Sequence, residues 1–112
     1  MAIETLAPAA PVETVTPLKP SEAMRLGRLR YPVEGIGCLI DATGATCALG
    51  AMLAGFDHDP DEIRSMGYTL VDRYIPGLVE QVYMLNDGVH PDHFNDEWST
   101  ERIAGWLEGQ GL

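Results

Sequence analysis

"GIGCLIDATGATCALGAML", residues 35–53, sets two apolar runs on either side of the turn-like Asp41-Ala42-Thr43-Gly44, and whether it forms a hairpin or a helix decides the fold class. A turn of that composition between apolar runs is a β-hairpin signal. From Cys47 onward the period changes: Cys47, Leu49, Ala51 and Leu53 fit a strand, whereas Ala48, Ala51 and Met52 fit one helix face. The helix is favoured, because Thr46 is a good N-cap and Gly50 would let another backbone approach closely. The expectation is a mainly α domain of four to five short helices, with a β-hairpin near residues 36–48 as its single sheet element.

The flanking segments read as helices. In "PSEAMRLGRLR", residues 20–30, Pro20 or Ser21 opens the helix, Ala23, Leu26 and Leu29 recur on one side, the arginines fall elsewhere, and Tyr31-Pro32 ends it. "DHDPDEIRSMGY", residues 57–68, has Asp59 as N-cap, Pro60 at the first helical position and Glu62 to complete a capping box, with Gly67 as its end. A longer helix is expected in residues 72–87, with Pro76 in its first turn, Leu78, Val82 and Leu85 on one face and Val79 widening it. The last helix is capped by Ser99, stapled by Trp98 and Ile103, buried through Ile103, Trp106 and Leu107, and released at Gly109 or Gly111.

A chain of 112 residues with 46% hydrophobic content suits one compact domain. That domain is expected over residues 19–112. Residues 1–18 hold Ala, Pro, Val, Thr and Glu without a basic side chain, and read as an extended or disordered arm through which the chain could self-associate. No apolar run reaches membrane-spanning length and the N-terminus lacks the pattern of a signal peptide, so the expected location is the cytoplasm of a bacterial cell, with a viral gene as one source.

The formal charge is −10. Residues 19–30 carry Lys19, Arg25, Arg28 and Arg30 against Glu22, a balance of +3, while residues 31–112 hold 14 acidic and 3 basic side chains, a balance of −11. Such a field repels nucleic acid and anionic membranes and favours a basic protein partner.

The twelve residues 86–97 lie between two helices and end in glutamate as a calcium loop does, but Gly88, His90 and Pro91 occupy its third, fifth and sixth positions, where the motif needs two oxygen ligands and a glycine. Asp57, Asp59 and Asp61 open with calcium spacing, yet Glu62 and Tyr68 stand at the sixth and twelfth places. Zinc would have to be drawn from Cys38, Cys47, His90 and His93, with His58 as a further donor, and the cysteines do not form a tight C-x-x-C knuckle. Cys47 at a helix start could act as a nucleophile with a histidine from the distant loop, although the acidic, apolar setting disfavours its thiolate. Nucleophile-elbow, dinucleotide and phosphate-loop patterns are missing from the sequence, and acid pairs such as Asp61 with Glu62 or Asp96 with Glu97 are accounted for by solvation and helix dipoles. No cofactor is expected.

"TCALGA", "YMLND" and "WSTERIAGWL" occur in that order, and with them the chain resembles a loose group of small uncharacterised bacterial and phage proteins. Their pattern is C-A-L-G-A, here residues 47–51, then L-N-D, here residues 85–87, then a Ser/Thr-capped helix of the form T-x-E-x-I-A-x-W, here ending at Trp106. The resemblance implies a shared fold and carries no activity.

The expected function is that of a non-enzymatic acidic protein–protein interaction module, in its sharpest form a phage or mobile-element inhibitor presenting a DNA-like acidic face to a basic host protein. Its contact surface is expected in the helix connector, at Val89, His90, Asp92, His93, Phe94, Asp96 and Glu97. The competing expectation is a small metal-binding or thiol-dependent protein using Cys47 with His90 and His93.

Overall fold

The computed structural model describes residues 18–112, and the expected arm falls almost wholly outside them. Five α-helices form among the described residues: α1 Pro20–Arg30, α2 Ala48–Gly55, α3 Pro60–Tyr74, α4 Val79–Asp87 and α5 Thr100–Gly109, with a 3-10 turn at Pro91–His93. The molecule is mainly helical, as expected.

Helix α2, "ALGAMLAG", has no polar side chain and every one of its residues is buried. A helix that is apolar on all sides must sit inside, and α2 touches each of the other four. Its partnership with α1 depends on small residues. A Cβ on Gly27 would stand 1.6 Å from the Ala51 carbonyl oxygen, and one on Gly55 would stand 1.7 Å from that of Ala23. The two helices therefore run antiparallel with Ala23 and Gly27 laid against Gly55 and Ala51. Gly50 does what its position suggested, since a Cβ there would meet the Leu39 carbonyl oxygen at 1.8 Å.

The decisive segment resolves into a turn and a helix. Asp41 Oδ1 accepts from the Thr43 N–H (2.8 Å), the Thr43 hydroxyl (2.6 Å) and the Ala45 N–H (3.1 Å), and these bonds hold its carboxyl below the usual carboxylate range. Beyond the turn, pairing is limited to an isolated antiparallel bridge between Ile40 and Thr46 and a parallel one between Glu34 and Thr46. The N-cap is Cys47, one residue later than Thr46, with its sulfur accepting from the Gly50 N–H at 3.5 Å.

Three local expectations are corrected. Leu29 is 80% exposed; the buried side of α1 is Ser21, Ala23, Met24 and Gly27, so the helix faces α2 through its small residues. Gly67 does not end α3. It lies buried in mid-helix, where a Cβ would collide with Leu39 Cδ1 at 2.2 Å, and α3 continues to Tyr74. Pro76 lies in the turn before α4 rather than inside the helix, because the chain reverses at Gly77 with φ 81°.

The caps at Asp59 and Ser99 form as expected, accepting from the N–H groups of Glu62 (2.9 Å) and Arg102 (3.1 Å). The Glu62 carboxylate leaves the capping box and meets His58 Nδ1 at 2.8 Å instead. Trp98, Ile103 and Leu107 join the core, with Trp106 packed at its edge.

Candidate functional site

Asn86 organises one face of the molecule. It is buried at 4% exposure, so its amide must be satisfied internally. Its Oδ1 accepts from the Ala48 N–H at the start of α2 (2.9 Å), and its Nδ2 donates to the Gly35 carbonyl (3.2 Å) and to Asp87 Oδ1 (2.8 Å). One side chain thus ties α4, α2 and the loop 34–38 together. Gly37 N–H reaches the same Asp87 Oδ1 at 3.4 Å. The C-A-L-G-A and L-N-D stretches, nearly forty residues apart, meet through this amide.

The loop 34–38 forms a ridge between two depressions. On one side Glu34, Gly35 and Ile36 face Glu97, Trp98 and Ser99. On the other, Gly37 borders a depression shared with Tyr68 of α3 and Val79, Glu80 and Tyr83 of α4. Beneath it lies a small cavity of about 40 Å³ bordered by Cys38, Cys47 and Asp87.

The connector after α4 is a structured loop. Gly88 ends α4 in the left-handed region with φ 74°, and Asn95, with φ 63°, is of a type that tolerates it. Asn95 N–H returns to the Gly88 carbonyl (2.9 Å), and Trp98 N–H to that of Leu85 (2.9 Å). His93 packs edge-on to Trp98 with ring centroids 5.0 Å apart, and the Arg102 guanidinium lies over the Trp98 ring, 3.9 Å from its centroid. Asp96 Oδ2 accepts from Trp98 Nε1 (3.2 Å) and Arg102 (3.0 Å).

Of the seven residues expected to make the contact surface, Asp96, His90 and His93 are partly buried within this loop structure. Val89, Asp92, Phe94 and Glu97 face solvent, Phe94 with 68% of its surface exposed. The other exposed apolar groups of this face, Ile36, Tyr68 and Tyr83, come from the ridge and two helices. Their presence in one place depends on tertiary packing, and sequence reasoning missed them together with Asp87.

The cysteines and histidines of the metal or thiol expectation occupy different surroundings. Cys38 and Cys47 border the small cavity, both as free thiols. Burial pushes the Cys47 thiol above its ordinary range, partly offset by the Gly50 and Leu49 N–H groups. His90 and His93 stand together in the connector with ring centroids 5.5 Å apart, and His90 Nδ1 accepts from the Asp92 N–H at 3.1 Å. Both ring nitrogens of His58 are taken, by Glu62 and by the Tyr74 hydroxyl at 2.8 Å each. Among the described residues no three His, Cys, Asp or Glu side chains gather in a geometry that could hold a metal ion. Nor is any helix among them long and apolar enough to cross a membrane.

The site's electrostatics are one-sided. No Lys or Arg occurs between Tyr74 and Glu101, a span that includes Glu80, Asp87, Asp92, Asp96 and Glu97. Arg102 engages Asp96, while Arg25 is held by Glu101 and Glu108, Arg30 by Asp57 and Arg64 by Asp61. Glu80, Asp87, Asp92 and Glu97 have no ion-pair partner among the described residues.

Comparison with protein-family profiles, with curated proteins and with solved structures returns no match to this chain.

Proposed function

We propose that this chain is a non-enzymatic acidic interaction module that binds a basic protein partner through the face made by residues 34–38, α4 and the connector 89–97. Carboxylates without an ion-pair partner among the described residues, standing beside exposed large apolar groups, carry the reading: Ile36 faces Glu97, Tyr68 and Tyr83 border one depression with Glu80 and a small cavity with Asp87, and the connector itself exposes Asp92 with Val89 and Phe94. Apolar and aromatic groups supply desolvated contact area, and surrounding acids steer and select a partner of opposite charge. The ordered backbone of the connector adds to this, because a loop already fixed loses little entropy on binding.

The experiment is calorimetric titration of the full chain with an arginine- and lysine-rich peptide between 50 and 300 mM salt. Affinity should fall about tenfold or more across that range, and Phe94→Ala and Asp92→Asn should each weaken it severalfold without changing the unfolding midpoint. Failure of any basic peptide to bind, or an affinity independent of salt and of both substitutions, would contradict the proposal.

A further inference from the structure

We infer that the tyrosine-lined depression beside Gly37 receives an arginine side chain of the basic protein partner. This rests on the acidic-module reading and adds the place and chemistry of one anchoring contact. The depression is bordered by Gly37, Tyr68, Val79, Glu80 and Tyr83 and measures about 520 Å³, a size that admits a ligand well beyond one long side chain. Its walls are two phenol rings left largely in water, Tyr68 at 63% and Tyr83 at 46% exposure. Exposed tyrosines of that size, set as neighbours, are the composition of a contact anchor rather than of an ordinary solvated helix face.

Each component selects for the same guest. Val79 and the ring faces suit an aliphatic stem, and the rings attract a cation placed over them. Glu80 lies on the border, and Asp87 borders the cavity below, which shares Gly37, Tyr68 and Tyr83 with the depression. Asp87 Oδ1 is occupied by Asn86 and Gly37, whereas its Oδ2 has no partner among the described residues, leaving an acceptor for a charged donor. No Lys or Arg borders the depression. The Tyr68 hydroxyl is held above the ordinary phenol range, first by desolvation and then by Cys47, Cys38 and the Asp87 carboxylate. An acidic or phosphorylated group would be repelled there. A guanidinium is favoured over an ammonium because it is planar, stacks on aromatic rings and is less strongly hydrated.

The test uses the full, isotope-labelled chain titrated with N-acetyl-arginine amide, and in parallel with the lysine and norleucine amides, followed by amide NMR shifts. The arginine amide should give saturable shifts at Gly37, Tyr68, Val79 and Tyr83, with the lysine amide weaker by about fivefold and norleucine inert. Tyr83→Leu and Glu80→Gln, both at exposed positions, should keep the unfolding midpoint and reduce arginine affinity severalfold. Equal response to all three amides, or full arginine affinity in both variants, would overturn the inference. A basic peptide that binds but shifts only residues 89–97 would overturn it while leaving the acidic-module reading in place; no binding of any basic peptide would remove both.

Discussion

Arg28 donates to the carbonyls of Tyr31 (2.8 Å), Val33 (2.9 Å) and Thr46 (2.8 Å) and to the hydroxyls of Thr46 (2.8 Å) and Thr100 (2.6 Å). It fastens α1 to the turn before α2 and to the start of α5, so the ridge 34–38 hangs from it. From the sequence this arginine belonged with the solvated residues, because the side of α1 that is buried, Ala23, Met24 and Gly27, carries little hydrophobic signal, whereas the louder Leu26 and Leu29 lie toward water. Desolvation lowers the Arg28 pKa from its ordinary value, and the ring of acceptors offsets the cost of holding this half-buried charge. Arg28→Lys should cost about 2 kcal/mol in denaturant unfolding, since an ammonium cannot span acceptors arranged for a fork; wild-type stability in that variant would contradict this role. The cysteines give a second prediction at this scale. Cys38 is exposed, while Cys47 is buried with its thiol pushed up. Thiol-specific alkylation at neutral pH should therefore modify one cysteine per chain rapidly and the second only on unfolding. Equal rates for both would show that Cys47 is accessible.

At the scale of elements, signals that are local in their physics were legible. Asp59 and Ser99 announce helix starts because a capping oxygen sits next in sequence to the N–H groups it satisfies, and α2 was recognisable by its helical set and by Gly50. Gly67 and Pro76 were misplaced for the opposite reason. The room Gly67 makes is for Leu39, a residue of a distant segment, and the turn at Pro76 is fixed by burial of Ile75 against the core. The α1–α2 seam provides the test at this scale. Gly27→Ala and Gly55→Ala should each destabilise by about 3 kcal/mol by forcing the two helices apart. Gly105→Ala, in α5 with no atom near the added Cβ, should stabilise by roughly 0.5–1 kcal/mol. Thermal or denaturant melts that rank the three variants together would contradict the close antiparallel packing.

Across the whole molecule, charge and packing divide the surface. Arg25, Arg30, Arg64 and Arg102 are held in ion pairs and Arg28 in its own network of acceptors, Lys19 and Arg73 have no ion-pair partner among the described residues, and the face around Asn86 presents carboxylates and exposed rings. The acidic excess and the connector 89–97 were readable from composition and from the polar stretch between apolar runs. Tyr68, Tyr83, Ile36 and Asp87 were not, because α3, α4 and the ridge converge there only once α2 is buried and Asn86 has tied α4 to the ridge. The most direct test of binding through this acidic face is to map, by amide NMR shifts on the labelled full chain, where an arginine-rich peptide binds. Saturable shifts should concentrate at residues 34–38, at Tyr68, along α4 and at residues 89–97; shifts concentrated on the outer faces of α1 and α5, or none that saturate, would contradict binding through the acidic face.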